Sequence, residues 1–147
     1  MRNGSGDEMH ILFREDDCAI NGFAHEYDQQ DKAKLTTNLP TIFNDFIFGE
    51  PVASIGTTFC LWTTELKNWQ IGQFESFEDN SDEMLAIFDG QPQTYIDWAT
   101  DYFEESYKKS GIPLDTVTKI YSGQTLTRKW FYQSLTNLKI GSNLRKT

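Results

Sequence analysis

From Pro92 to Ser110 the sequence keeps the period of an α-helix more strictly than anywhere else. Tyr95, Trp98, Ala99, Tyr102, Phe103 and Ser106 recur on one side, and Asp97, Asp101, Glu104, Glu105 and Lys108 on the other. Pro92 suits a first helical turn, where its missing N–H costs nothing, and Gly111 with Ile112 and Pro113 reads as a left-handed stop. A helix with so aromatic a stripe needs an apolar layer to pack on, and the first half of the chain is where that layer must come from.

That half reads as strands. Ile11-Leu12-Phe13 and Cys18-Ala19-Ile20 are apolar runs around the turn-forming Glu15-Asp16-Asp17, so a hairpin is expected, with Gly22 ending or bending its second strand. Thr57 to Thr63 is β-branched and aromatic with large side chains on both faces, which marks a strand covered on two sides. Trp69 to Phe74 is expected to pair with it through a polar turn at Thr64–Asn68. Between these, residues 24–34 are polar and aperiodic, a surface loop. Leu39, Ile42, Phe43, Phe46 and Ile47 form a short helical stripe, with Asn38 as its cap, Pro40 in its first turn and Gly49 and Pro51 as its stop.

Later, Asn80 or Ser81 with Asp82 and Glu83 starts a helix through Phe88 that halts at Gly90. Residues 114–121 fit a helix capped by Asp115 or a short strand, and Thr127–Leu138 is expected to be a last helix. Strands precede helices without regular alternation, so the fold class is α+β: about four antiparallel strands packed by three to five helices. At 147 residues the chain is expected to form one domain, burying roughly 70% of its unfolded surface, with flexible tails at 1–9 and 141–147.

Charge is distributed unevenly. The net value is −9. Residues 1–106 hold 5 Lys/Arg against 21 Asp/Glu, a net of −16, whereas residues 107–147 hold 8 against 1, a net of +7. Such an acidic body repels nucleic acid, whose binding depends on Lys and Arg displacing counterions. The basic C-terminal part is expected to lie back against acidic surface through Arg128, Lys129 and Lys139, or to serve as a docking arm. No run approaches the ~18 apolar residues of a membrane span, and Met1–His10 is polar and Gly-rich where a signal peptide would be apolar, so a cytoplasmic location is expected. Cys18 and Cys60, each inside an apolar run, are expected to be reduced core thiols, with a disulfide between them as the minority alternative.

Motifs for nucleotide phosphates, serine hydrolysis, zinc peptidases or dithiol chemistry are absent: no GxGxxG after a strand, no GxxxxGK[ST], no GxSxG, no HExxH and no CxxC. The best catalytic candidates are Asp17, Cys18, His25 and Glu26, a thiol, an imidazole and carboxylates close together in sequence. On a straight strand Cys18 and His25 would stand about 23 Å apart on opposite faces, so pairing them requires a bend at Gly22. His25, Glu26 and Asp28 are the metal candidates, imidazole and carboxylates of the type zinc or manganese takes, but they are too few alone. Trp62, Trp69, Trp98 and Tyr102 can line a ligand pocket or partner surface, or simply fill the core. No cofactor is implied.

Asp17-Cys18-Ala19-Ile20, Gly22-Phe23 and His25-Glu26, then Thr58 to Trp62, Trp69 with Gly72, and Pro92, Tyr95, Trp98-Ala99 and Tyr102 resemble a group of uncharacterised bacterial proteins over residues 11 to about 127. That resemblance implies no activity. Leu39-Pro40 leading into Phe43 and Phe46 before a sheet is weakly similar to the Smi1/Knr4-like immunity proteins, which neutralise toxins; that similarity implies a binding role. Three readings remain open. The first is a non-enzymatic acidic domain that binds a basic protein partner. The others are a small hydrolase or metal-dependent enzyme using His25, Glu26 and Asp17 with Cys18, and a structural homodimer in place of a monomer.

Overall fold

A computed structural model describes residues 4–65, 67–76, 78–103 and 111–124. The chain divides into two compact units that part between Met84 and Leu85. In the first, four antiparallel strands lie in chain order: β1 (Glu8–Arg14), β2 (Asp17–Phe23), β3 (Phe59–Thr63) and β4 (Gln70–Ile71). The described residues also form six α-helical segments. These are α1 (Lys32–Leu35), α2 (Asn44–Ile47), α3 (Val52–Ile55), α4 (Ser81–Leu85), α5 (Pro92–Tyr102) and α6 (Leu114–Tyr121). The class is α+β with one small antiparallel sheet. The helical segments outnumber the three to five expected because α1 and α3 are single turns too short to leave a periodic trace.

The hairpin forms as its apolar runs dictate: Arg14 pairs with Asp17, and Glu15-Asp16 is left as a two-residue turn with Glu15 at φ 54. Register then decides which side chains share a face, because alternate residues point to opposite sides. Leu12, Ala19 and Trp62 stand in one row across β1, β2 and β3, with Cys60 on the same face. Leu35 of α1, Phe43 just before α2 and Ile47 of α2 join them in the core of this unit, where Phe43, Ile47 and Trp62 are almost wholly buried. Burying each such side chain contributes about 1.5–3 kcal/mol. On the opposite face Ile11, Ile20, Leu61 and Ile71 make a second row across all four strands. β2 and β3 are therefore apolar on both sides.

Several local expectations need correction. The stretch 24–34 is not all loop: Asp31 accepts a hydrogen bond from the Ala33 N–H at 2.9 Å and starts α1. Asn38 does not cap the next helix; it sits at φ 67, a left-handed conformation Asn tolerates, and Pro40 holds the cap position of a 3₁₀ turn (Thr41–Phe43) that runs into α2. β4 is two residues, not six. After Ile71 the Gln73 N–H donates to the Lys34 carbonyl at 2.8 Å, and Gly72 passes so close to α1 that a Cβ there would fall 2.2 Å from the Leu35 carbonyl oxygen. The chain leaves the ladder to close the end of α1. β1 begins at Glu8, inside the stretch expected to be a flexible tail.

The second unit packs α5 against α6. Residues 114–121 settle as a helix with Pro113, not Asp115, at the cap; Asp115 instead lies in its first turn. In α5 the buried line is Ile96 and Ala99, while Tyr95, Tyr102 and Phe103 stay about 40% exposed (37%, 38% and 43%). Side-chain size exaggerated the aromatic stripe as a core signal. The continuation of this helix to Ser110, the helix expected at 127–138 and the tail at 141–147 lie outside the described residues.

At Gly22 the sheet leaves no room for a side chain. A Cβ there would lie 2.0 Å from Cζ of Phe59, its partner on β3. Gly22→Ala is expected to lower stability by about 1–3 kcal/mol in urea unfolding, the usual cost of overpacking; an unchanged midpoint would show that Phe59 can give way freely.

Candidate functional site

β2 carries the sequence candidates and also separates them. It runs unbroken from Asp17 through Phe23, and Gly22 stays in the ladder, paired with Met9 and Phe59. The bend that would fold His25 back towards Cys18 is therefore not made. Asp17 at one end accepts the Glu65 N–H at 3.0 Å, which fixes the start of the β3–β4 turn. His25, two residues past the other end, is exposed.

There His25 has a partner that sequence reasoning missed. Its Nδ1 lies 2.8 Å from Oδ1 of Asp7, and the same oxygen accepts the His25 backbone N–H at 2.9 Å. Gly6, at φ +110, passes against the ring. A carboxylate on Nδ1 orients an imidazole and turns Nε2 outward, where Glu26 Oε1 stands 3.8 Å away. Such a pair is the orienting half of an acid–base device; no nucleophile accompanies it among the candidates. Asp28 is exposed on the same loop. Among the described residues no group of three or more His, Cys, Asp and Glu side chains could hold a metal ion. No signal in the sequence pointed to Asp7, because Gly4 and Gly6 around it read as tail.

The cysteines behave as core. Cys18 pairs across with Thr63, whereas Cys60 pairs with Asn21, so the two thiols sit on opposite faces and three residue pairs apart along the ladder. That is too far for a disulfide, whose Cα atoms lie within about 7 Å, and both thiols are free. Burial pushes the Cys18 thiol up, and burial pushes Cys60 up to about 12 against the smaller opposing effect of Lys32 nearby. Neither is a thiolate near neutrality, which removes the nucleophilic role.

Of the aromatic candidates, Trp62 is core, its Nε1–H donating to Oε1 of Gln70 at 3.2 Å. Trp69 is 52% exposed. Trp98 and Tyr102, on α5, stack on each other with ring centres 5.3 Å apart.

A second residue missed from sequence is Gln30. Its Nε2 donates to the carbonyls of Thr58 and Ser76, each at 3.0 Å, and its Oε1 accepts the Glu75 N–H at 2.8 Å. Gln30 thereby ties the loop after β2 to the segment after β4. The two stretches joined in this way both carry exposed carboxylates: Glu26, Asp28 and Asp31 on the first, and Glu78 followed by Asp82 and Glu83 of α4 on the second. Lys34 is paired to Glu75 at this junction.

No family model, curated protein or solved structure matches the chain. No described helix is long and apolar enough to cross a membrane.

The thiols supply a direct test. An aromatic disulfide reagent at pH 8 is expected to leave Cys18 and Cys60 untouched in the folded protein and to titrate both in denaturant. For Cys60 the folded value lies above the unfolded one, so folding favours the protonated thiol. That contribution is complete below pH 9 and is lost as pH rises from about 9 towards about 12. Cys60→Ala is expected to remove this part of the alkaline decline in stability.

Proposed function

We propose that the chain is a non-enzymatic binding domain that captures a basic protein partner through its acidic surface, as an immunity or regulatory protein does. One observation carries the reading. Gln30 ties together the backbones of two stretches that carry exposed carboxylates, and Lys34, on the helix between them in sequence, is already paired with Glu75. Residues 1–106 carry 21 Asp/Glu against 5 Lys/Arg, and self-repulsion on that scale is accounted for by what the charge attracts. A field of this sign draws in Lys- and Arg-bearing proteins, speeds their encounter and repels acidic competitors. The separated positions of Asp17, Cys18 and His25 give the enzymatic alternative no shared cleft to work in.

Immobilised protein is expected to retain a basic partner from lysate of its source cells at low salt and release it as ionic strength rises. The doubly reversed variant Asp28→Lys with Glu78→Lys is expected to slow association with that partner by roughly tenfold or more, with little change in dissociation. Retention that is indifferent to both salt and reversal would end the proposal.

A further inference from the structure

The second unit leaves unusually large side chains in water. Among its described residues, Phe88, Tyr95, Tyr102, Phe103, Leu114 and Ile120 are all more than a third exposed. On α5 the aromatic ones are organised. Tyr95 and Trp98 are tilted with centres 6.1 Å apart, Trp98 and Tyr102 stack at 11°, and Phe103 meets both Trp98 and Tyr102 edge-on. Helical spacing places Asp101 three residues beyond Trp98 on the neighbouring face, exposed, with Asp97 one turn earlier and bonded to Gln93 at 2.7 Å. Lys119 on α6 is held by Asp115 at 2.5 Å.

We infer that the Tyr95–Trp98–Tyr102 ladder with Asp101 is a seat for arginine side chains of a basic protein segment. The chemistry is specific. A guanidinium is planar and weakly hydrated, so it lies flat on an indole or phenol ring while its N–H fork bonds a carboxylate, and a lysine ammonium does the second far better than the first. Rigid aromatic anchors beside charge are also what binding hot spots are made of. A second copy of the chain suits the surface poorly. A two-fold contact through α5 would set Asp97 and Asp101 against their own equivalents. This inference rests on the basic-partner reading and adds to it the anchor that long-range attraction alone does not provide.

The test uses the full chain and two short synthetic amphipathic peptides, one of arginine and leucine, the other with lysine in place of each arginine, followed by calorimetry at low salt. The arginine peptide is expected to bind about tenfold more tightly than the lysine peptide. Trp98→Ala and, separately, Asp101→Asn are each expected to weaken it by about tenfold. Asp101→Asn is a surface change that keeps the fold, so the proposal stays open to refutation if Trp98→Ala does not fold. Equal binding of both peptides, or affinity unchanged in Asp101→Asn, overturns the arginine seat. If binding is then lost in the Asp28→Lys, Glu78→Lys variant, the acidic-domain reading stands without it; if neither peptide binds the wild type, both fall. A dimer by light scattering that Trp98→Ala converts to monomer assigns the ladder to self-association and also overturns the inference.

Discussion

Thr58 is the residue on which the first unit turns. It is fully buried, and each of its polar groups holds a different piece of chain. Its N–H donates to the Gly22 carbonyl at 2.8 Å, joining β2 to the entry of β3. Its hydroxyl accepts the Ala24 N–H at 3.2 Å and donates to the Asp79 carbonyl at 3.1 Å, and its own carbonyl accepts from Gln30. Buried polar groups must be paired, because leaving one unmade costs about 1–3 kcal/mol. One small hydroxyl residue therefore fixes where the chain goes after β2 and where it returns after β4. Beside it Asn21, also fully buried, accepts from the Thr57 hydroxyl at 2.8 Å and donates to the Gly56 carbonyl at 3.1 Å. Together these bonds close the end of β2 and the entry to β3.

That polar end explains the division of labour in the fold. The apolar rows across β1, β2, β3 and β4 supply the driving force for collapse, and they are indifferent to what the loops carry. Specific placement of the loops comes from the buried hydroxyls and amides, which accept few arrangements. Acidic side chains can then accumulate on the outside, since their mutual repulsion is opposed by bonds made underneath them.

How much of this was legible follows from the range of each interaction. The hairpin, β3 and the start of α5 are written in local periodicity and in Gly and Pro positions, and they form where those patterns lie. What local pattern could not reveal are features decided by distant contacts. β4 stops after Ile71 because Lys34 offers a carbonyl; α1 exists because Asp31 caps it; Asp7 meets His25 because β1 and β2 bring their ends together. For the candidate site residues, the relation between Asp17, Cys18 and His25 was decided by β2 remaining unbroken. Gly22 read as a bend from its lack of a side chain, and it is instead the space into which Phe59 fits.

The same physics argues against reading the exposed aromatics of α5 as an unfinished core. A helix that buries Ile96 and Ala99 has already satisfied its packing face with small and branched side chains. Tyr95, Trp98 and Tyr102 lie to one side of that line and pack on one another. Aromatic rings held by their own neighbours lose little further freedom when something docks on them, so most of the contact energy survives as affinity. Such a ladder next to a carboxylate is pre-organised for a flat cation. If the chain captures basic partners as proposed, this ladder is the feature that would turn long-range attraction into a defined contact.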